Sequence, residues 1–429
     1  MRILILCDHA FRDIPGHAAL QVAIESVSAH EVLVCDIHLF GQVTEIFKPH
    51  LVLMNHLFDP ARNKIVDSIR RRGGLCAVLP NEGRPNTPEL VEWAATKFDT
   101  RLCDLYLSWS QEFANSLTVP YVVTGCPRFD FYYDLPHRGE LLSLYGLTDD
   151  RPVITVASSF PQAKFAGFAV DFLESDWKKL KMTTVPGREN PAAMAEADNL
   201  ALQKFMAWME CLLAENDYQM IVKPNPAEDV QPWREFCHRT GAKLMLTDYA
   251  TSLLAMSDVH VSRVGCLTAV EAWMAGKDSV QCEVGNDFVS GATKESLEWS
   301  YRVDGYGGDF GLSGAVFDAL SDDAEPYNQA TVEVGQRKYI EKWMGPYGNS
   351  AQLTAKAIVD LLDSKQPKLA FEFSTDDRVQ LHTLLTLHSQ QYAVPSSDNI
   401  GQFAKVPTFA AIQGWLEKIR NRRAHEQTG

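Results

Sequence analysis

The sequence lacks most of the features that give an activity away at once. Its nine cysteines are odd in number, form no CxxC pair and are scattered through apolar runs such as Leu6-Cys7 and Val34-Cys35. That excludes a zinc ribbon and a disulfide scaffold, and fits a reducing, cytoplasmic compartment. Positive charge is the scarcer sign, with 40 Lys+Arg against 55 Asp+Glu and a net charge of −15. A general nucleic-acid binder needs a basic face, so that class is excluded, although one small anion pocket is not. No apolar run approaches the roughly 20 residues of a spanning helix. Met1-Arg2-Ile3-Leu4-Ile5-Leu6-Cys7 meets Asp8 too early to be read as a signal peptide. There is no GxGxxG after the first strand, no GxxxxGK[ST], no GxSxG and no HExxH. The 12 histidines form no ligand-spaced pair, so the sequence calls for no metal and no resident cofactor.

What is present is material for large cores: 429 residues, 46% of them hydrophobic, enough for two to three domains. Short β-rich runs alternate with helical patterns, the rhythm of a parallel α/β sheet. Strands are expected at Arg2–Cys7, Glu31–Ile37, His50–Asn55, Gly74–Leu79, Leu102–Leu107 and Tyr121–Thr124. Helices are expected at Ile14–Val27, Pro60–Arg72, Thr87–Lys97 and Gln111–Leu117. After the polar turn Asp149-Asp150-Arg151-Pro152 the rhythm restarts, with strands at Val153–Ala157, Gln219–Lys223, Lys243–Leu246, Val259–Ser262 and Ser279–Cys282 and a helix over Asp198–Ala214. Gly305–Gly314 reads as a glycine-rich loop. Helical patterns close the chain at Thr331–Met344, Ser350–Leu362, Asp376–Gln391 and Thr408–Arg420. The expected architecture is α/β: two Rossmann-like, doubly wound domains, 1–148 and 149–365, facing a cleft, with a helical C-terminal extension, 366–429.

In an open parallel sheet, ligands bind beyond the carboxyl ends of the strands. After the first strand come Asp8 and Arg12-Asp13-Ile14-Pro15-Gly16. Asp13 suits a helix N-cap with proline in the first turn, while Arg12 is free to face an anion. After the fourth strand, Asn81-Glu82-Gly83 sets a carboxylate beside a residue that permits close approach. The alternative for Glu82 is a solvated turn. After the sixth, Arg128 and Asp130 are placed to pair and pin the linker. In the second domain, Ser158 and Ser159 offer hydroxyls, and Lys223-Pro224-Asn225-Pro226 offers a point charge on a stiff turn. Ser262, Gly265 and Cys266 form a small-residue turn before a helix, where N–H groups attract anions. Glu271 on that helix suits ribose hydroxyls, its alternative being a solvated glutamate. Trp415, Leu416 and Ile419 with Lys418, Arg420, Arg422 and Arg423 suggest a short basic amphipathic helix at a membrane surface, set against a helix packed on the protein.

These segments, Asp8…Arg12–Gly16, Asn81-Glu82-Gly83, Thr124–Asp130, Lys223–Pro226 and Ser262–Gly276, occur in the order seen in bacterial surface-carbohydrate biosynthesis proteins. The chain resembles the capsule and lipopolysaccharide glycosyltransferases of the GT-B fold, including the retaining β-Kdo transferases that use CMP-Kdo. Arg337–Trp343 with Gly345-Pro346-Tyr347-Gly348 looks like the closing helix of that family. The likeness covers residues 1–365. It implies a metal-independent transferase with no cofactor, a nucleotide-sugar donor on the second domain, a saccharide or glycolipid acceptor on the first, and a peripheral place at the inner membrane or among polysaccharide-assembly proteins. It casts Glu82, Asp13 and Arg12 as catalytic. Ser158, Ser159, Lys223, Asn225, Ser262, Gly265, Cys266 and Glu271 become donor contacts, and Asp8, Arg128 and Asp130 further site residues. Two departures stand out: Asn225 where the family usually has His, and Tyr347 where it has Asp. The rival readings are a nucleotide-sugar 2-epimerase, a CDP-glycerol-type phosphotransferase, and a degenerate scaffold.

Overall fold

The computed structural model describes residues 1–83, 99–167, 170–179, 182–184, 188–285, 291–304, 308–321, 329–369 and 373–393. They form two compact units. The first draws its described residues from Met1–Gly83, Ala94–Asp130 and Trp343–Gly429, the second from Phe131–Lys342. The chain therefore changes unit after Asp130 and not near residue 148. The segment after Lys342 belongs to the first unit, not to the second. The physical reason is local. Asp130 takes the backbone N–H groups of Gly348, Ser350 and Ala351, and helix Ser350–Lys365 packs on helix Ala10–Val27.

In the first unit, β1 (Arg2–Cys7), β2 (Glu31–Asp36), β3 (Leu51–Met54), β4 (Leu75–Val78), β5 (Leu105–Ser108) and β6 (Tyr121–Val123) make one sheet in the order β2-β1-β3-β4-β5-β6. Every pairing is parallel. Strands covered on both faces must be apolar throughout, and Ile3, Leu4, Ile5, Leu51, Val52 and Cys76 are fully enclosed. The order reverses between β1 and β3, which makes their carboxyl ends the topological switch point.

In the second unit, β7 (Val153–Ala157), β8 (Gln219–Lys223), β9 (Lys243–Leu244), β10 (Val259–Arg263), β11 (Asp278–Cys282) and β12 (Tyr301–Val303) run β12-β11-β10-β7-β8-β9, again all parallel. The switch point lies between β7 and β10. Helix Pro191–Glu215 begins earlier than the sequence suggests, because Asn190 accepts from the N–H of Ala193 and Pro191 opens the first turn. Phe205, Trp233 and Phe236 fill the core beside Phe160.

The strand rhythm is as expected apart from β12, which the sequence reading omitted. The glycine-rich loop is a correction: residues 308–314 open helix Gly308–Leu320. Leu312 and Val316 are wholly buried in the core, and tertiary burial outweighs the poor helix propensity of glycine. On helix Ala10–Val27, Leu20 and Ile24 are wholly buried, while Val27, at the last turn, is 63% exposed. The expected helices Thr87–Lys97 and Thr408–Arg420, with the basic amphipathic end, lie outside the described residues. Among the described residues no helix is long and apolar enough to cross a membrane.

Candidate functional site

The switch point of the first unit gathers Asp8 after β1, Arg12 and Asp13 on the following helix, and Asn81 and Glu82 after β4. Helix Ala10–Val27 starts one turn earlier than expected, so Asp13 is not its N-cap. His9 holds that position, and the Asp13 carboxylate reaches back to accept the His9 N–H at 3.0 Å, satisfying an orphan donor from inside the first turn. Asp13 also receives Arg12 Nε at 2.7 Å and Nη2 at 3.1 Å, with Arg128 Nη1 3.8 Å away. Burial works to raise its pKa, but the charge and hydrogen bonds of Arg12 outweigh it, and the carboxyl ends below its usual range.

Arg12 is not free for an anion. Its guanidinium also meets Asp8 at 3.4 Å and Glu82 at 3.5 Å, so three carboxylates surround it. The Glu82 side chain is 82% exposed, against 3% for Asp13, which is the solvated setting given above as its alternative. Gly83 serves packing: a Cβ there would stand 2.2 Å from the Trp109 indole. That indole donates to the Pro80 carbonyl at 2.9 Å. Arg128 and Asp130 do not pair as expected. Arg128 is buried, donates to the Asn81 carbonyl at 3.3 Å and lies over the rings of Trp109 and Phe129, while Asp130 caps helix Ser350–Lys365.

In the second unit, Ser158 and Lys223 end adjacent strands, with Ala157 and Lys223 in register. Lys223 Nζ donates to the Asp248 carbonyl at 2.6 Å. Burial, opposed by Asp248 and Glu271, brings its pKa down to about 8. Ser158 Oγ donates at 2.7 Å to Glu228, a buried carboxylate that also accepts Phe160 N–H and Trp233 Nε1–H. Burial, partly offset by those hydrogen bonds, raises the Glu228 pKa. Asn225 closes its own turn, with its side-chain oxygen accepting the Ala227 N–H at 2.9 Å. Glu271 is buried and bonded to the Tyr132 hydroxyl, not solvated.

The turn after β10 departs from the anion site read from sequence. Helix Thr268–Met274 is only 7 residues long. The N–H groups of Cys266, Ala269 and Val270 go to carbonyls of the turn itself, and that of Gly265 to Gln281. Ser262 Oγ is enclosed with no hydrogen-bond partner. Beside it, Arg263 binds Asp198 at 2.7 Å and the Ser159 carbonyl at 3.0 Å. Sequence reasoning missed Glu228, Asp198, Arg263 and Tyr132 as organisers of this site. All but Asp198 stand next to or inside motifs already singled out. Asp198 carried a signal only as a carboxylate within an apolar helix face.

Among the described residues no group of His, Cys, Asp and Glu is arranged to hold a metal ion. No protein-family model matches the sequence, and no curated protein matches it either. Solved structures do. S. aureus MnaA, in its co-structure with UDP, is similar with a TM-score of 0.53 at 12% identity, over 86% of this chain and 100% of that one. A Listeria monocytogenes protein with the provisional name UDP-N-acetylglucosamine 2-epimerase is similar with a TM-score of 0.50 at 11% identity, over 87% and 99%. Two parallel six-stranded α/β sheets followed by C-terminal helices define a fold of the GT-B class.

Proposed function

We propose that the chain is a metal-independent GT-B glycosyltransferase of cytoplasmic surface-polysaccharide assembly, which takes a nucleotide-sugar on its second unit and passes the sugar to a saccharide or glycolipid acceptor on its first. One observation carries this reading: Lys223 and Ser158 end neighbouring strands next to the switch point of the second sheet, where such sheets bind ligands. A lysine whose pKa is about 8 keeps its charge near neutrality and meets a phosphate as a compact cation. Asn225, Ser159 and Glu271 complete the donor contacts, whereas Gly265 and Cys266, whose N–H groups are taken by Gln281 and Arg263, shape the turn beside them. Glu82, Asp13 and Arg12 serve the reaction in the first unit, with Asp8 and Arg128 around them. The resemblance to β-Kdo transferases makes CMP-Kdo the finer proposal for the donor, and a peripheral membrane position the finer proposal for its place.

A second reading, a nucleotide-sugar 2-epimerase, is favoured by the UDP complex of MnaA and by the name of the L. monocytogenes protein. The two readings part in one experiment. The full chain is incubated with CMP-Kdo, UDP-N-acetylglucosamine or CDP-glycerol in deuterated water, with and without a saccharide acceptor. A transferase releases nucleotide in proportion to acceptor and leaves C2 unlabelled, whereas an epimerase exchanges the C2 hydrogen without acceptor. A thermal-shift screen against CMP, CDP and UDP tests binding itself, since ligand at 100 times its Kd stabilises by about 2.7 kcal/mol. No shift with any nucleotide would leave only the scaffold reading.

A further inference from the structure

We propose that Tyr132 and Tyr145 are positioning residues of the second unit: their hydroxyls hold the carboxylates of Glu271 and Asp248 off Lys223, and so keep its ammonium open to a phosphate. The inference rests on the reading that Lys223 receives the donor's phosphate, and it says what keeps that lysine unspent. A lysine flanked by two carboxylates would ordinarily close an ion pair with one of them. Lys223 does not. Its ammonium donates to the backbone carbonyl of Asp248 at 2.6 Å, and among the described residues it forms no ion pair. An ammonium carries three N–H donors, so that bond leaves two for a ligand. The residue is only half-buried, at the end of β8.

Both carboxylates are near enough to act on the lysine, since Asp248 and Glu271 each help the ammonium keep its proton against burial. The Asp248 carboxylate hangs from the same residue whose carbonyl already meets Nζ. Both acids are tied to tyrosines: Tyr145 donates to Asp248 Oδ1 and Tyr132 to Glu271 Oε2. A tyrosine hydroxyl suits the task because it is neutral. It answers a carboxylate with a charge-assisted bond and brings no second cation to compete for the phosphate. It also stays a donor, for burial and the Asp248 bond push the Tyr145 pKa up.

Neither ring is loose. Tyr132 is buried, at the end of the helical turn Pro127–Tyr132. Tyr145 ends helix Arg138–Tyr145 and packs against the cluster of Leu142, Val153, Ile221 and Leu253. Arg138, at the start of that helix, binds Asp258 at 2.9 Å, and Asp258 accepts the Val153 N–H at 2.8 Å. The segment from Tyr132 to Tyr145 is thus fastened within the second unit at both ends and in between, so the two hydroxyls arrive where the backbone puts them.

The test is a calorimetric titration of the full chain with UDP and with inorganic pyrophosphate. Tyr132→Phe and Tyr145→Phe keep the rings and remove only the hydroxyls. Each should weaken pyrophosphate binding about tenfold, the worth of one hydrogen bond to a charged group. Adding Asp248→Asn to Tyr145→Phe takes away the carboxylate that would close on Lys223, and should restore the affinity. In a Lys223→Met background neither Phe substitution should change what binding is left. Unchanged affinity in either Phe variant would overturn the proposal, and so would a loss that Asp248→Asn does not repair, the mark of a tyrosine that only supports the fold. Pyrophosphate binding with these responses but without UDP binding would strike the nucleotide reading and leave the role of the tyrosines standing. Binding of neither probe by the wild-type chain would overturn both.

Discussion

The carboxylate of Asp130 accepts the backbone N–H of Ser350 at 2.9 Å across 220 positions of sequence, and those of Gly348 and Ala351 at 2.7 and 2.8 Å. A helix start needs such acceptors for its unpaired N–H groups, and a negative charge there also favours the helix dipole. Usually the N-cap side chain supplies them. Here Asn349 makes no side-chain cap bond, and Asp130 does the work from outside. Asp130→Ala should lower stability by about 1–2 kcal/mol, and Asp130→Asn by less because one acceptor survives. Denaturant midpoints for the three proteins check the order.

Gly125 meets the same junction. Its φ is +73°, and a Cβ would fall 1.8 Å from the Pro346 carbonyl oxygen and 2.7 Å from Ser350 Oγ. Both the backbone conformation and the space exclude a side chain. Gly125→Ala should cost more than the roughly 1 kcal/mol of an ordinary Gly→Ala mismatch, and should separate helix Ser350–Lys365 from the sheet. Hydrogen exchange at Ala351–Thr354 reads that loosening. Protection equal to wild type would mean that the loop yields.

Acid should unfold the protein through histidines that the fold keeps neutral. His260 sits on β10 between Ser279 Oγ at 3.0 Å and Thr268 Oγ1 at 3.1 Å, and burial pushes its pKa down to about 3. Burial and Arg62 bring His56 to about 4. A folded-state pKa below the unfolded value means the unfolded chain binds more protons in the window between them, so stability rises with pH there. For His260 the window runs from about 3 to the ordinary histidine value near 6.5. His260→Gln keeps hydrogen bonding and removes the titration. The slope of stability against pH between 4 and 6 should fall by close to one proton.

The strands were legible because a strand covered on both faces must be apolar along its length, and β1, β7 and β8 say so in their own residues. Asn190-Pro191 is a helix start in plain chemical terms, but the turns from Pro191 to Asp198 carry no clear apolar period, and Asp198 itself is a carboxylate buried against Arg263. Gly308–Leu320 was illegible locally, since only a core enclosing Leu312 and Val316 makes a helix of it. The site divides along the same line. Asp8, Asp13, Ser158 and Lys223 could be placed because they follow strands. The partner of Asp130 could not, because a contact between residue 130 and residue 350 leaves no periodicity to read. Glu228, two residues beyond the Lys223–Pro226 segment, ties Ser158 to Phe160 through its carboxylate, a tie between residues 70 and 68 positions apart that leaves no local signal.

Lys223 gives the nucleotide proposal a pH signature. Its pKa of about 8 means that the ammonium is lost as pH rises through that value, so nucleotide affinity should fall between pH 7.5 and 9. A bound phosphate favours the charged form and moves the fall upward. The same group should make the free protein more stable as pH rises from about 8 toward the ordinary lysine value, because there the unfolded chain holds the extra proton. Lys223→Met should flatten both trends and weaken nucleotide binding. Calorimetric titration of UDP and CMP at three pH values checks them, and an unchanged affinity in the variant would move the phosphate elsewhere.

Asp13 and Glu82 separate structure from chemistry in the first unit. Asp13 is enclosed, accepts from Arg12 and His9, and lies 3.8 Å from buried Arg128. Asp13→Asn removes the compensating charge from beneath two guanidiniums, and breaking a buried pair costs about 3–5 kcal/mol. Its loss of turnover would therefore come with a loss of stability. Glu82 makes one contact at 3.5 Å from an exposed side chain, a pair worth at most about 1 kcal/mol. Glu82→Gln should fold like wild type and bind nucleotide unchanged. If its carboxylate attacks the sugar or takes the acceptor's proton, turnover should fall by about a hundredfold or more. Its exposure is no bar, because a carboxylate at the rim becomes enclosed only when substrate covers it. A Glu82→Gln protein that transfers sugar at the wild-type rate would remove Glu82 from the reaction and leave Asp8, the other exposed carboxylate of the group, as the residue to change next.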